Sequence, residues 1–218
     1  MTWLAAAVTV GVLMAYELAL LLAQRRNPRG LARTAHAALR EEWFVAISQQ
    51  KGSEILAVQT LRNSVMSATM TASTAVLGLM GTVTLAAPSL RDSLGGADLA
   101  TPQFTSRLAL ELVLMALLFA SLFASTMAVR YYNHAGFVSA MPVESDARQR
   151  WAEAGIAYVR KAGILYSWGL HYLILVAPIL VSIVYPLAGP VAALLVVAVL
   201  YGFDRFQGKP GASNHPLA

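Results

Sequence analysis

The stretch LYSWGLHYLILVAPILVSIVYPLAGPVAALLVVAVLYGF, residues 165–203, decides the fold because it lacks Asp, Glu, Lys and Arg and is too long for one membrane crossing. As a single helix it would measure about 58 Å, whereas the hydrocarbon core of a bilayer is about 30 Å thick. The motif PLAGP, residues 186–190, lies near its middle, and prolines and glycines at this density end a helix. We therefore predict a tight hairpin of two spans, 165–185 and 187–203. One span followed by a re-entrant segment is the alternative.

Three further segments are apolar over the length of about 20 residues that a membrane helix needs. They are residues 2–23, 64–87 and 108–129, and their only acidic or basic residues are Glu17 and Glu111. The composition agrees, since 57% of the 218 residues are hydrophobic, 12% are charged and the mean hydropathy is +0.59. A soluble domain of this size could not bury so much apolar surface. The predicted fold is an all-α polytopic transmembrane bundle of five spans, forming a single domain over residues 1–207.

The placement of basic residues predicts the orientation of the bundle. Fourteen of the 16 Lys and Arg residues lie after the first span, after the third span or in the tail, on one side of a five-span chain. By the positive-inside rule this side is the cytoplasm, so we expect the N-terminus outside, the C-terminus inside, and a bacterial inner (plasma) membrane. Four spans would leave Asp204, Arg205 and Lys209 outside. The net charge of +5 then reflects cationic flanks, and no nucleic-acid partner is expected.

Helices are also predicted outside the membrane. Residues 30–50 carry an apolar stripe with a period of four, which is typical of an amphipathic helix that lies on the inner leaflet or packs against its own bundle. The stripe consists of Leu31, Ala35, Leu39, Trp43 and Ile47. A helix over 53–63 is expected to continue into the second span, and another covers 137–164. The tail, residues 208–218, is rich in Pro and Gly and is predicted to be disordered.

The sequence contains few features that indicate catalysis. The chain has no cysteine, no phosphate-binding loop and no metalloprotease or hydrolase motif, and its four histidines are scattered. We therefore predict no cofactor, no metal site and no enzymatic activity. An intramembrane enzyme that uses Glu17, His134 or His171 stays open as a third hypothesis, because intramembrane sites assemble from distant helices.

The second span is unusual in carrying one face of small and hydroxylated residues, formed by Ser67, Thr71, Thr74, Gly78 and Gly81. Such a face permits close helix packing in lipid. It can also line an aqueous path, where hydroxyl groups replace part of the hydration shell of an ion.

Two polar clusters lie where spans meet the predicted cytoplasmic side. If the second and third spans are antiparallel neighbours, these clusters form a basic mouth that binds lipid phosphate or attracts an anion. Interfacial anchoring is the alternative role. The clusters are Gln59, Arg62 and Asn63, and Arg130, Asn133 and His134.

Charged and titratable residues within the spans are costly and are commonly kept for function. Glu111 lies one turn after Arg107, which favours an ion pair at the outer rim. Glu17 snorkels to the interface, pairs with another helix or binds a cation. His171 either relays protons or bonds a neighbouring backbone carbonyl, and we predict the carbonyl.

Three segments carry a resemblance to a known family: ILAVQTLRNSVMSATMTASTA at 55–75, RYYNHAGF at 130–137, and the last span with PLAGP. In this order they resemble the family catalogued as domain of unknown function 599, whose members are membrane proteins of bacteria and plants. The resemblance covers about Arg40 to Asp204. It implies an integral membrane fold and draws attention to Arg62, Asn63, Asn133 and His134 without assigning them a role.

Three functions follow as hypotheses. The first is a homo-oligomeric channel or small transporter in which the second span lines the path. The second is an accessory or assembly protein that binds lipid or a larger membrane complex. The intramembrane enzyme is the third. The expected partners are membrane lipids, further copies of the chain and a larger membrane complex.

Overall fold

The computed structural model describes residues 2–26, 32–95 and 104–204, with side chains described up to residue 91 in the second range. These residues form six α-helices and no strand: α1 (Thr2–Arg26), α2 (Ala32–Ser48), α3 (Glu54–Gly95), α4 (Ser106–Ala140), α5 (Asp146–Val184) and α6 (Gly189–Asp204), with a 3₁₀ turn at Pro186–Ala188. Five segments are long and apolar enough to cross a membrane: Thr2–Arg26, Glu54–Arg91, Ser106–Ala140, Asp146–Val184 and Pro186–Asp204. The predicted all-α chain with five candidate spans is confirmed, and the chain is a multi-pass membrane protein. Its orientation stays a prediction, and the predicted tail lies outside the described residues.

The hairpin between α5 and α6 forms where Pro186 prevents the helix from continuing. Tyr185 leaves helical geometry with φ −137° and ψ 87°, and one 3₁₀ turn follows. Gly189 then starts α6 against α1 and α5, because a Cβ atom there would lie 2.6 Å from the Thr9 Oγ1 and 2.5 Å from the Ser182 Oγ. The absence of a side chain at Gly189 therefore lets three helices meet at this turn.

The centre of the bundle is the antiparallel pair of α4 and α5. The Ser121 hydroxyl donates a hydrogen bond of 2.7 Å to the Gly169 carbonyl. A Cβ atom at Gly169 would lie 2.3 Å from the Ser125 Oγ, so the two helices cross at close range. Since helices in lipid gain no hydrophobic force from burial, this close approach supplies the packing energy.

Helix α3 packs along one face of α4 and runs antiparallel to it. Gly78 contacts Leu118 near one end, while Ser64 and Tyr132 line the same cleft near the other. Its contact face includes the buried residues Ala68, Thr71, Ala75, Thr82 and Ala86. Much of the remaining surface of α3 is exposed and apolar, which suits a helix that faces lipid.

The connection from α2 to α3 depends on Gly52, whose φ of +80° lies in the left-handed region that favours glycine. The Ser53 hydroxyl donates to the carbonyls of Ile47 and Gln50 at 2.8 and 2.6 Å. These bonds satisfy carbonyl groups at the end of α2 that have no partner within the helix. From Glu54 onward, α3 is one continuous helix into the second span.

Helix α2 packs against α5 through a face that only partly matches the predicted stripe, because Ile47 is buried and Trp43 is half-buried as predicted. Phe44 and Ala37 are buried, and the Glu41 carboxylate pairs with Arg160 at 3.1 Å. Leu39, predicted on the stripe, is 62% exposed. The buried face therefore follows the tertiary contact with α5, while Leu31 lies outside the described residues.

The predicted helix over 137–164 is divided in the structure. Residues 137–140 complete α4, and α5 begins at Asp146 and continues without a break to Val184. Pro142 is the cause, because a residue before proline is driven out of helical geometry, and Met141 has a ψ of 143°. The Arg148 guanidinium then donates to the carbonyls of Ser139 and Met141 at 2.6 and 2.8 Å, which caps α4.

The contact between α2 and α5 gives a stability prediction. A Cβ atom at Gly155 would lie 2.8 Å from the Phe44 ring. We expect Gly155→Ala to lower the free energy of unfolding by about 1–3 kcal/mol through overpacking. The control is Gly136→Ala, because a Cβ atom there has nothing within 4 Å and alanine favours the helix. Thermal unfolding in detergent measures both, and equal midpoints would contradict the proposed packing of Phe44.

Candidate functional site

A buried acid–histidine pair joins α1 to α5. The Glu17 Oε1 lies 2.5 Å from the His171 Nε2, and the two side chains are 19% and 4% exposed. His171 is predicted from the sequence to bond a backbone carbonyl, and this prediction is wrong. The antiparallel packing of α1 on α5 brings the Glu17 carboxylate into reach instead, and a carboxylate is the stronger hydrogen-bond acceptor.

A second polar contact adds α6 to this pair. The Tyr16 hydroxyl donates a hydrogen bond to the Asp204 carboxylate. The Tyr16 ring also stacks on the His171 ring, with centroids 6.1 Å apart and planes inclined by 26°. Neighbouring residues of α1 therefore contact the last residue of α6 and a buried residue of α5, so that three helices share one polar cluster.

Arg33 brings α2 to the same cluster. Its guanidinium carbon lies 3.8 Å from the centre of the Trp168 ring, which also contacts His171 edge-on. Burial lowers the pKa of Arg33 from its usual value, and the carboxylates of Asp204 and Glu17 oppose this shift. Arginine remains protonated in proteins, so Arg33 is a partly buried cation. Its Nε–H group is buried and has no hydrogen-bond partner among the described residues.

Arg40 lies two turns further along α2 and rests on a glycine of α5. A Cβ atom at Gly163 would lie 2.5 Å from the Arg40 Nη1 and 3.0 Å from its Cδ. The Nη1 atom is buried and lacks a hydrogen-bond partner among the described residues. A glycine at position 163 is thus the feature that lets a second guanidinium lie flat against α5.

An open cleft of about 370 Å³ runs between α2, α5 and α6 beside this cluster, and we call it the amphipathic cleft. Its polar part is lined by Arg33, His36, Arg40, Tyr166, Ser167, His171 and Asp204. Its apolar part is lined by Ala32, Leu170, Ile174, Leu200 and Phe203. Phe203 is 76% exposed, so the apolar part opens at the outer surface of the helices.

A second cleft of about 290 Å³ lies on the other side of Arg40, between α2, α3, α4 and α5. Arg40 and Tyr166 line both clefts. The remaining lining of the second cleft is polar except for aromatic ring surface, and consists of Thr60, Asn63, Ser64, Ser67 and Tyr132.

The predicted hydroxyl face of the second span is divided between two surfaces. Thr71 is buried toward α4, and Gly78 contacts Leu118. Ser67, Thr74 and Gly81 are exposed. The hydroxyls of Ser67, Thr71 and Thr74 donate to the carbonyls four residues earlier at 3.0–3.1 Å. In a single protomer these residues therefore do not surround a common path.

The predicted basic mouth is assembled only in part. Because α3 and α4 are antiparallel, its two clusters lie at the same end of the bundle. All six side chains are exposed, namely those of Gln59, Arg62, Asn63, Arg130, Asn133 and His134. Asn63 lines the second cleft, whereas the His134 ring lies 5.4 Å from that of Tyr158 in α5.

Glu111 is paired with Arg107 at 2.9 Å. This i,i+4 ion pair is the one predicted from the sequence, and the Glu111 side chain is 0% exposed. Its second carboxylate oxygen is buried and has no hydrogen-bond partner among the described residues.

Tyr16, Arg33, Arg40, Trp168 and Asp204 are not among the candidate site residues from the sequence. A signal for part of this cluster is present: Glu17 and His171 each lie six residues inside the predicted cytoplasmic boundary of their spans, and Asp204 directly follows the last span. Equal depth in adjacent spans favours contact. The positions of Arg33 and Arg40 depend on how α2 packs.

The described residues include no group of three or more His, Cys, Asp or Glu side chains that could hold a metal ion. The polar cluster instead combines carboxylates, an imidazole and guanidinium groups, which bind protons and anions.

A family model described as "Protein of unknown function, DUF599" matches residues 4–209. The chain belongs to this family. The resemblance inferred from the sequence is thereby confirmed, and the match extends over α1 and α2 as well. Every residue of the polar cluster and of both clefts lies within the DUF599 region. No curated protein and no solved structure matches the chain.

The Glu17–His171 pair gives a prediction about stability. We expect His171→Leu alone to destabilise the protein more than the double change Glu17→Leu/His171→Leu, because the single change leaves a carboxylate unpaired in a low dielectric. A double-mutant cycle, measured by denaturant unfolding in micelles, should give a coupling of about 0.5–3 kcal/mol.

The matched control is the Lys51–Glu144 ion pair, whose side chains are 71% and 73% exposed. Its coupling should be close to zero because solvent screens it. A Glu17–His171 coupling no larger than that of this surface pair would show that the buried pair does not hold α1 on α5.

Proposed function

We propose that this DUF599 member is an inner-membrane protein that binds an anionic phospholipid in the amphipathic cleft, as part of an accessory or lipid-organising role. The observation that carries the proposal is the lining of one open cleft both by two guanidinium groups and by apolar side chains, of which Leu170, Ile174 and Phe203 are exposed. This distribution matches a molecule that joins a phosphate to acyl chains.

The arginines supply the chemistry for the phosphate. Guanidinium groups form charge-assisted and often bidentate hydrogen bonds to phosphate oxygens. The buried Arg33 Nε–H and Arg40 Nη1–H groups lack acceptors within the described protein. Buried donors of this kind are rare in folded proteins and costly, so an acceptor from a ligand would stabilise them. His36 lies between the two arginines on α2 and lines the same cleft.

The apolar part of the cleft supplies a surface for an acyl chain. Leu170 and Ile174 follow one another on α5, and Leu200 and Phe203 do so on α6. Leu170 and Phe203 are exposed in the protein, and lipid tails would cover them in a membrane. Burial of methylene groups here would add to the affinity that the phosphate provides.

The position of the cleft favours the inner leaflet. It lies where α1 and α6 end and α2 packs, at the predicted cytoplasmic end of a five-span bundle. Anionic lipids are attracted to basic segments at this surface. Beyond His171, large apolar side chains such as Leu13, Leu114, Leu175 and Ile179 pack between α1, α4 and α5, while polar residues of the same helices, including Thr9, Glu111 and Ser182, are also buried. The packed apolar side chains favour binding over conduction within one protomer.

A channel remains a second proposal for an oligomer. Its motive is the exposed position of Ser67, Thr74 and Gly81 on α3, which would face an axis only if several copies met there. Two measurements test the channel: the native mass of the purified protein and the ion flux that it supports in liposomes. We expect a pore to require three or more copies and to be blocked by Thr74→Trp but not by Val83→Trp, an exposed position on the opposite side of α3. A monomer, or unchanged flux in Thr74→Trp, would contradict a pore along α3.

Lipid binding is tested by titrating short-chain phosphatidylglycerol into the purified full chain in zwitterionic nanodiscs. We expect Arg33→Gln and Arg40→Gln each to weaken binding about tenfold, the loss of about one charged hydrogen bond. Gly163→Ala should also weaken it, because the new methyl group displaces the Arg40 guanidinium without changing the charge. Arg62→Gln is the control, since it removes an exposed arginine outside the amphipathic cleft.

Two outcomes would contradict the proposal. Equal weakening by Arg62→Gln would indicate nonspecific attraction to a basic surface. Competition by inorganic phosphate at concentrations similar to those of the lipid would show that a soluble anion is the ligand. Thermal unfolding of each variant shows whether it is folded.

A further inference from the structure

His171 belongs to two sites at once. It lines the amphipathic cleft, and its Nε2 atom contacts the Glu17 carboxylate. Any charge placed in the cleft therefore lies beside an imidazole, a group that can exist in a neutral and a cationic form. A titratable group that faces both a ligand cleft and a buried carboxylate is suited to link ligand binding to proton binding.

From this geometry we infer that the amphipathic cleft binds its anionic phospholipid together with a proton, which the Glu17–His171 pair takes up. The inference rests on the proposed function and adds a dependence on pH to the same site.

The groups that face His171 come from every helix around it. Helix α1 contributes Glu17 and the Tyr16 ring, α6 contributes Asp204, and α2 contributes Arg33, His36 and Arg40, which line the same cleft as His171. On α5 itself, Tyr172 lies edge-on to the His171 ring. Helix α4 packs on this part of α5 through Ser121 and Ser125, and its described contacts there include no titratable side chain.

The charge balance gives the sign of the linkage. With Glu17 and Asp204 ionised and His171 neutral, the two carboxylates balance the two guanidinium groups of Arg33 and Arg40 that line the cleft. A phosphate in the cleft adds a further negative charge and makes the neutral imidazole less favourable. One proton on the pair offsets this charge. The complex then binds more protons than the free protein, so the affinity for the phospholipid rises as the pH falls.

The two members of the pair should have opposite effects when they are changed. Glu17→Gln removes a negative charge beside the cleft, so we expect tighter phospholipid binding than in the parent chain at pH 8. His171→Gln keeps a hydrogen-bond donor for Glu17 but cannot take up the proton, so we expect weak binding that is independent of pH. A merely structural role would weaken binding in both variants.

The experiment measures phosphatidylglycerol affinity of the full chain in zwitterionic nanodiscs between pH 8 and pH 5.5. The phosphodiester of this lipid stays ionised throughout this range, so any pH dependence belongs to the protein. For the parent chain we expect affinity to rise roughly tenfold as the pH falls, which corresponds to uptake of up to one proton. His36→Gln is the control, because it removes a second imidazole that lines the cleft and leaves the Glu17–His171 pair in place.

The outcomes separate this inference from the proposed function. No binding at any pH would refute the phospholipid site itself. Binding with the same affinity at pH 8 and pH 5.5 would overturn the inference and leave the site standing. A pH dependence that persists in His171→Gln, or that disappears in His36→Gln, would also overturn it, because the proton would then belong to another group.

Discussion

The contact between Glu17 and His171 is the interaction on which the polar end of the bundle depends. A carboxylate within a membrane span is costly unless a neighbour satisfies it, and the imidazole of α5 does so. The adjacent Tyr16 then reaches Asp204, which adds α6, and the two carboxylates favour the charged form of Arg33 on α2. This pair thus lies where three spans and an additional helix meet.

The helical architecture was predictable because membrane crossing requires length and apolarity, which are local properties of the sequence. The segments around 2–23, 64–87 and 108–129 each lie within a helix of the structure, and PLAGP separates two helices where proline geometry requires it. The end of α4 also depends on a local property of the sequence. Pro142 lies within the helix predicted over 137–164, and a proline at this position excludes one continuous helix over that range. The buried face of α2 was not local, because it depends on where Gly155 and Gly163 leave room on α5.

The candidate site was predictable only where a residue is unusual for its surroundings. Glu17, Glu111 and His171 are polar residues in apolar spans, so the sequence alone identifies them as candidates. The partners of the two carboxylates differ. Glu111 pairs with its own helix, whereas Glu17 pairs with α5. Arg33 and Arg40 belong to a stretch rich in arginine, and composition alone does not distinguish them from Arg25 or Arg26. Arg33 and Arg40 are distinguished by their buried N–H groups, and this burial depends on how α2 packs against the bundle.

The central claim is that an anionic phospholipid occupies the amphipathic cleft, and site-mapped photo-crosslinking tests it most directly. A phosphatidylglycerol with a photoreactive group near its phosphate would be incorporated with the full chain, and the labelled residues identified by mass spectrometry. The account predicts labelling of α2 between Arg33 and Arg40 and of α5 between Tyr166 and His171, with competition by unlabelled phosphatidylglycerol but not by phosphatidylcholine. Labelling confined to the apolar groove of α3 and α4, around Ser73, Leu77 and Leu122, would contradict it.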